Sequence, residues 1–395
     1  MRFESGEAQR NKFSFETAFL RFDASSADEV YSVCRGETLY SYYEQEPEAM
    51  YALCESLEKS GFILYSKSSL NGNLFATYHR GEELCHVYWI KCERELNVAF
   101  SEKSGAALPF CLIEKTGGII PSVTQLKSDQ PNGMGYVVRL SDGSFIIYDG
   151  GYRHHAEALW NALTELNSSE NGIVIRAWVI THAHADHYPC FSEFSRRYAD
   201  KVTLETVMIA PAGESDTNDK YLHEGVIEDI VGFKAAKLLY VHTGMSFEYG
   251  DVVLEVLFSA DELLISDSPL MHGMPNRAVD LNDTSLVTRV YTKAKSCLFL
   301  GDAYSKEAYR MIAYYGEYLK SDMCQISHHG LEEFPLIAYR HIRAEVLFYP
   351  CSQVTYTREG RSGPRFENVR RALRASKYTK EIITHQFSNE TRYLV

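Results

Sequence analysis

The chain has 395 residues, 45% of them hydrophobic and 24% charged, which is long enough for two globular units with sizeable cores. Its 53 acidic residues outnumber 40 basic ones, and the net charge of −13 argues against general adhesion to nucleic acid or an anionic membrane. Nine dispersed cysteines without a Cys-x-x-Cys pair exclude a disulfide framework and a zinc ribbon.

The N-terminal stretch MRFESGEAQRNKFSFETAF has no apolar signal-peptide core, and no segment approaches the roughly 18 apolar residues of a membrane span. A cytoplasmic protein with no membrane partner is expected. Residues 1–30 read as a polar arm or a single strand, with apolar patches around Phe13–Phe22. A helix is predicted from Pro47 to Ser60, where Met50, Leu53, Cys54 and Leu57 fall at helical spacing and Gly61 suits the stop. Strands are predicted at Phe62–Ser66, Leu74–His79, Leu84–Ile90 and Leu96–Phe100, with Asn71-Gly72 as a turn. Residues 31–110 therefore form a small α+β module. Tyr40, Tyr42, Tyr43 and Tyr51 cluster there, as a substrate lid or a surface for homo-oligomerisation.

From about Cys111 strands and helices alternate. Strands are predicted at Met134–Leu140, Phe145–Tyr148, Ile173–Ile180, Val202–Ile209, Leu238–Val241, Val252–Phe258, Ser285–Tyr291, Cys297–Leu300, Met323–Ile326, Val346–Tyr349 and 381–386. Helices are predicted at 155–167, 190–199, 219–237, Lys306–Leu319 and 366–376. This pattern makes residues 111–395 a layered α/β domain.

The chemistry lies at strand ends. Thr181-His182-Ala183-His184-Ala185-Asp186-His187 follows the apolar run Ile173–Ile180, so a buried strand delivers four metal-ligand side chains onto its loop. His182 and His184 can grip one ion, and Asp186 and His187 point toward a second. Asp149, in Tyr148-Asp149-Gly150-Gly151, can fix a ligand imidazole by hydrogen bonding. Asp302 follows Gly301 at the end of Cys297–Leu300, where a carboxylate can bridge two ions. His328 and His329 follow Met323–Ile326. Cys190 reads as a core residue of the next helix.

This ordered set, D-G-G, H-x-H-x-D-H, G-D and H-H-G, resembles the metallo-β-lactamase-fold hydrolases over roughly Cys111 to Val395. The branch it is most similar to holds phosphorylcholine esterase and the nuclease-like domain of competence DNA-uptake proteins, which share a segment like Asn282-Asp283-Thr284-Ser285-Leu286-Val287. The resemblance implies an αββα sandwich with metals at the sheet ends. It implies His182 and His184 on the first ion, Asp186 and His187 on the second, Asp302 as bridge and His329 completing the second site, with His328 as the alternative. Asp149, Asp186 and Asp302 would form the catalytic carboxylate set.

The family's third histidine for the first ion has no counterpart in Met208-Ile209-Ala210-Pro211-Ala212-Gly213-Glu214. Glu214, Asp216, His223, His242 and His272 are the substitutes at hand. Two divalent transition-metal ions are implied, zinc first, manganese or iron as alternatives, activating a water. The expected substrate is a small phosphodiester or related phosphoester. Arg358, Arg361, Arg365 and Asn282 are placed to bind it, and His154 and His155 lie near the mouth. The other readings are a lactone, thioester or β-lactam hydrolase, an iron-dependent redox enzyme, and a non-catalytic metal-binding interaction protein.

Overall fold

The computed structural model describes residues 27–33, 36–110, 118–168, 172–211, 217–259, 281–330, 334–357, 363–385 and 387–395. Among the described residues twenty strands form one six-stranded and two seven-stranded sheets.

The N-terminal module is an antiparallel sheet of β1 (Glu29–Val33), β2 (Glu37–Tyr42), β3 (Ile63–Leu70), β4 (Asn73–Arg80), β5 (Glu83–Ile90) and β6 (Glu95–Ser101), in the order β1-β2-β6-β5-β4-β3. Helix α1 (Pro47–Lys59) opens with Pro47 and buries Met50, Leu53, Cys54 and Leu57 against Tyr78, Val87 and Val98 of the sheet. Strand β1 starts at Glu29, so the sheet takes in the last residues read as an arm; residues 1–26 lie outside the described ones. Tyr42 belongs to the module's core, whereas Tyr51 is exposed beside Lys67.

The second sheet holds β7 (Ser122–Gln125), β8 (Gly135–Arg139), β9 (Phe145–Asp149), β10 (Ile173–Val179), β11 (Val202–Ile209), β12 (Lys237–Tyr240) and, at its far edge, the last strand. The third holds β13 (Ser246–Tyr249), β14 (Val252–Phe258), β15 (Val287–Tyr291), β16 (Ser296–Phe299), β17 (Met323–Gln325), β18 (Val346–Tyr349) and β19 (Glu381–Thr384) in chain order. Strand β20 (Glu390–Tyr393) crosses back to pair with β7 of the second sheet.

The two seven-stranded sheets stack face to face. Tyr148 of one lies on Phe299 of the other, with ring centroids 3.9 Å apart, inside a core that also holds Val138, Val179, Leu254 and Phe348. Helices α2 (Ala156–Leu166), α3 (Pro189–Tyr198) and α4 (Thr217–Ile230) follow strands of the second sheet, and Leu159, Phe191 and Phe194 cover its outer face with Trp178. Helices α5 (Ser305–Tyr315), α6 (Leu336–Ile342), α7 (Gln353–Thr357) and α8 (Gly363–Arg374) follow strands of the third, whose outer face is covered by Met311, Tyr314 and Ala338. This is the αββα sandwich that the resemblance implies.

Two expected helices end early, and two strands appear where none is predicted. Helix α4 stops at Ile230 rather than 237, where Gly232 comes so close to α3 that a Cβ would sit 2.5 Å from Ser195 Oγ. Residues 316–319 form a 3-10 turn after α5. Strands β7 and β20 were not predicted, because their polar sequences SVTQ and ETRY carry no apolar alternation. Among the described residues no helix is long and apolar enough to cross a membrane.

Strand β10 carries the feature that aims the site. Its pairing with β9 shifts register between Ile175 and Ala177. Ile173 and Ile175 face the helices; after the shift Ala177 and Val179 face the inter-sheet core, and Trp178 packs on α3. Arg176 leaves the strand toward Asp142 and Glu205. Trp178 Nε1 then donates to Asp149 O at 2.7 Å, locking the ends of β9 and β10 together.

Candidate metal centre

Four strand ends of the sandwich meet at one edge. Strand β9 supplies Asp149, β10 leads into His182–His187, β16 into Asp302 and β17 into His328 and His329. The backbone there is unusual. Asp149, His328 and His329 all have left-handed φ, at 51°, 47° and 55°. Such conformations cost of order 1–3 kcal/mol each in a non-glycine residue, and they concentrate where a site demands them. Gly301 also has φ +56°, and a Cβ there would lie 3.2 Å from Thr181 and from Ser285. Only glycine lets β16 approach the β10 loop closely enough to deliver Asp302.

Asp302 Oδ2 is the hub. It lies 3.2 Å from His187 Nε2, 3.3 Å from His329 Nε2 and 3.8 Å from His182 Nε2. His329 Nε2 is also 3.0 Å from Asp186 Oδ2, and His184 Nδ1 is 3.0 Å from His182 Nε2. His328 Nε2 stands 3.9 Å from Asp302, and its ring lies against Tyr304. Of the histidine pair, it is His329 that faces both Asp186 and Asp302.

The far nitrogens of three rings are tied to protein acceptors. His187 Nδ1 meets Asp149 Oδ2 at 2.8 Å, His329 Nδ1 meets Pro350 O at 2.8 Å, and His182 Nδ1 meets Thr181 Oγ1 at 3.1 Å. Thr181 Oγ1 spends its own hydrogen on Asp149 Oδ2, at 2.8 Å, so it accepts from His182. Each Nδ1 therefore carries a proton, and in the neutral rings of His187 and His329 the Nε2 lone pairs face Asp302 Oδ2. That is the tautomer a metal-ligating histidine needs. His187 Nε2, His329 Nε2 and Asp302 Oδ1 are buried without a hydrogen-bond partner. Orphaned buried polar atoms are costly, and two imidazole nitrogens that converge on one carboxylate fit a cation. His182, His187 and Asp302, and also Asp186, His187 and His329, present ligand atoms within 4.8 Å of one another.

Electrostatics fit the same reading. Burial would push the Asp302 carboxyl up, but the charges of His187 and His329 outweigh it and hold the carboxyl well below the usual range. Asp186 is treated the same way: burial raises it, and the close approach of His329 with the charge of His187 brings it below the ordinary carboxylate value. Burial opposes the charged form of His329, yet Asp302 and Asp186 raise it to about 9. His187 is likewise raised against burial, by Asp302 and Asp149. His182 is pushed well below its ordinary value by burial and then by His187. Without a metal, protons balance the carboxylates, and an incoming cation displaces them.

Asp149 is fully buried; it accepts from Thr181 N at 2.7 Å as well as from His187, so it orients that ring and is closed to solvent. Asn282 is 3% exposed and donates to Tyr304 OH at 2.5 Å, holding the ring that covers His328. Cys190 packs in the helix-side core, its thiol pushed up by burial. His242 is buried and pairs with Glu37 of the N-terminal sheet. Glu214, Asp216, His272, Arg358 and Arg361 lie outside the described residues, as do the side chains of His223 and Arg365. His154 and His155 gather with Asp129, 3.1 and 3.2 Å from its Oδ1. Tyr152 N donates to His155 Nδ1, which leaves Nε2–H to donate to Asp129, the opposite tautomer to that of the centre. Sequence reasoning missed Thr181, Pro350 O and Asn132, whose amide reaches Asp186 at 2.6 Å.

Residues 131–281 match the family model of the metallo-beta-lactamase superfamily. The αββα sandwich is thus a metallo-beta-lactamase fold, preceded by an antiparallel sheet module. No curated protein matches the chain. Among solved structures it is similar to the metallo-beta-lactamase fold protein YhfI from Bacillus subtilis, at 12% identity and a TM-score of 0.42, over 69% of this chain and 99% of that one. It is similar to Zn(2+)-bound PqqB from Methylobacterium extorquens at 12% identity and a TM-score of 0.38, over 69% and 99%. It is also similar to CmlA, a diiron beta-hydroxylase from Streptomyces venezuelae, at 12% identity and a TM-score of 0.41, over 70% of this chain and 55% of that one.

Proposed function

We propose that the protein is a metal-dependent hydrolase that acts on a small phosphoester, a phosphodiester first. The observation that carries the metal reading is the convergence on Asp302 Oδ2 of His187, His329 and His182, with orphaned Nε2 atoms on the first two. His182 and His184 would hold one divalent transition-metal ion, Asp186, His187 and His329 a second, and Asp302 both. Zinc suits this imidazole and carboxylate set, with manganese or iron as alternatives. When bound, two such ions supply a water that ionises near neutral pH and polarise the scissile group.

The chain's own residues do the rest. Asp149 and Thr181 hold His187 and His182 in the ligating tautomer. Asp302 and Asp186 stay ionised. Tyr304, steadied by Asn282, and His328 form one wall beside the hub. No side-chain nucleophile is needed. The phosphoester reading is supported by the resemblance to the phosphorylcholine esterase branch, and the net charge of −13 favours a small substrate over a polyanion.

The test is a panel of chromogenic phosphodiester, phosphomonoester, lactone and β-lactam substrates on the full-length, metal-loaded protein. Phosphodiester turnover that a chelator abolishes and added metal restores is expected, with loss of that turnover in His184→Ala and Asp302→Ala. A lactone or β-lactam as the sole good substrate would replace the phosphoester reading. Turnover indifferent to chelator and to both substitutions would overturn the metal-dependent reading.

A further inference from the structure

We propose that Asn132, braced by Tyr152, is a positioning residue for the Asp186 carboxylate; the inference rests on the metal-dependent reading above. Asp186 is held less tightly than the fully buried members of the group. Its side chain is 13% exposed, against 1% or less for Asp302, His187 and His329, and it lies in a turn beyond β10 rather than in a strand. A carboxylate at such a place has a solvated rotamer open to it, and freezing it costs side-chain entropy.

Asn132 removes that freedom. Its Nδ2 donates to Asp186 Oδ2 at 2.6 Å, and its Oδ1 accepts the Tyr152 hydroxyl at 2.9 Å. An ionised carboxylate only accepts, so the amide has one orientation that satisfies both neighbours. Tyr152 is itself held, its ring centroid 5.9 Å from that of His154 and 5.7 Å from that of His155.

The backbone around Asn132 is tied on both sides of the centre. Met134 N donates to Asp186 O at 3.0 Å. Asn132 forms an antiparallel bridge with Cys351, and Ser352 N donates to Pro131 O at 2.9 Å. Cys351 follows Pro350, whose carbonyl fixes His329. Asp186 and His329 arrive from different sheets, and the strap Pro131–Met134 joins their two anchor points. Asn132 thereby fixes Asp186 Oδ2 at 3.0 Å from His329 Nε2, with Oδ1 3.9 Å from His187 Nε2.

The experiment strips the full-length protein of metal, titrates it with zinc against a chromophoric competitor, and records the visible spectrum of the cobalt-loaded form. Wild type should take two equivalents. Asn132→Ala should weaken one of them about 10–100-fold and change the cobalt absorption, leaving the other equivalent alone. Asn132→Asp, which sets a second carboxylate against Asp186, should be at least as damaging. Tyr152→Phe keeps the ring, loses only the hydroxyl, and should weaken the same equivalent by a smaller factor; it decides the matter if the Asn132 variants do not fold. Two equivalents of unchanged affinity and an unchanged cobalt spectrum in folded Asn132→Ala and Tyr152→Phe would overturn this inference and leave the metal reading intact. A wild-type protein that binds no zinc would sink the metal reading itself.

Discussion

The side chains of His187 and Asp149 meet at 2.8 Å, Nδ1 to Oδ2, and neither is open to solvent. Asp149→Asn tests what that contact does. The amide oxygen can still accept Thr181 N–H, but the amide nitrogen then faces a ring nitrogen that carries a proton. Two donors cannot share the contact, so His187 must change tautomer or turn. The expected outcome is a loss of about 10–100-fold in affinity for the second ion, with the far-ultraviolet circular dichroism unchanged. Unaltered zinc affinity in this variant would show that Asp149 does not set the ring.

Gly244 holds the N-terminal sheet against the sandwich. It has φ +86°, and a Cβ there would lie 1.7 Å from the ring of Phe75, itself 1% exposed on β4. Gly244→Ala should destabilise the protein by at least about 2 kcal/mol, read from denaturant midpoints, through overpacking on top of the left-handed backbone. Adding Phe75→Ala should recover part of the loss, because the two positions are coupled. Strict additivity of the two changes would contradict the packing described.

Glu307 gives a pH signature away from the ligands. It is fully buried, its Oε2 accepts Tyr304 N–H at 2.6 Å, and its Oε1 has no hydrogen-bond partner. Burial first, and the charge of Asp283 second, push its pKa from 4.5 up to about 8. Between those values the unfolded chain has released the proton and the folded chain keeps it, so this residue's contribution to stability falls as pH rises from about 4.5 to about 8. Glu307→Gln removes the proton from the balance. The variant's melting temperature relative to wild type should therefore climb between pH 5 and pH 8. A difference that stays flat over that range would refute the assignment.

The parts of the site that were legible in the sequence are the local ones. His182, His184, Asp186 and His187 fall within one loop after an apolar strand, and Asp302 and His329 each follow a short apolar run, so strand ends could be read as ligand carriers. What stayed illegible depends on distant partners. Nothing local to Asn132 says that it reaches Asp186, because Cys351 and Tyr152 place it. Asn282 read as a substrate contact because its segment lies beside the G-D block, but only the folded chain shows its amide on Tyr304. Helix α4 was read too long because apolar spacing continues through Phe233; its stop is set by the close approach of Gly232 to α3. Strands β7 and β20 pair with neighbours that supply the order their own polar sequences do not encode.

The central claim is a centre of two ions sharing Asp302, and elemental analysis tests it most directly. The full-length protein would be expressed with zinc or manganese supplied, freed of loosely held metal by gel filtration, and compared with Asp302→Ala. The predicted result is about two transition-metal equivalents per wild-type chain and loss of both from the variant. Wild-type protein without bound metal, or a variant that keeps both equivalents, would contradict it.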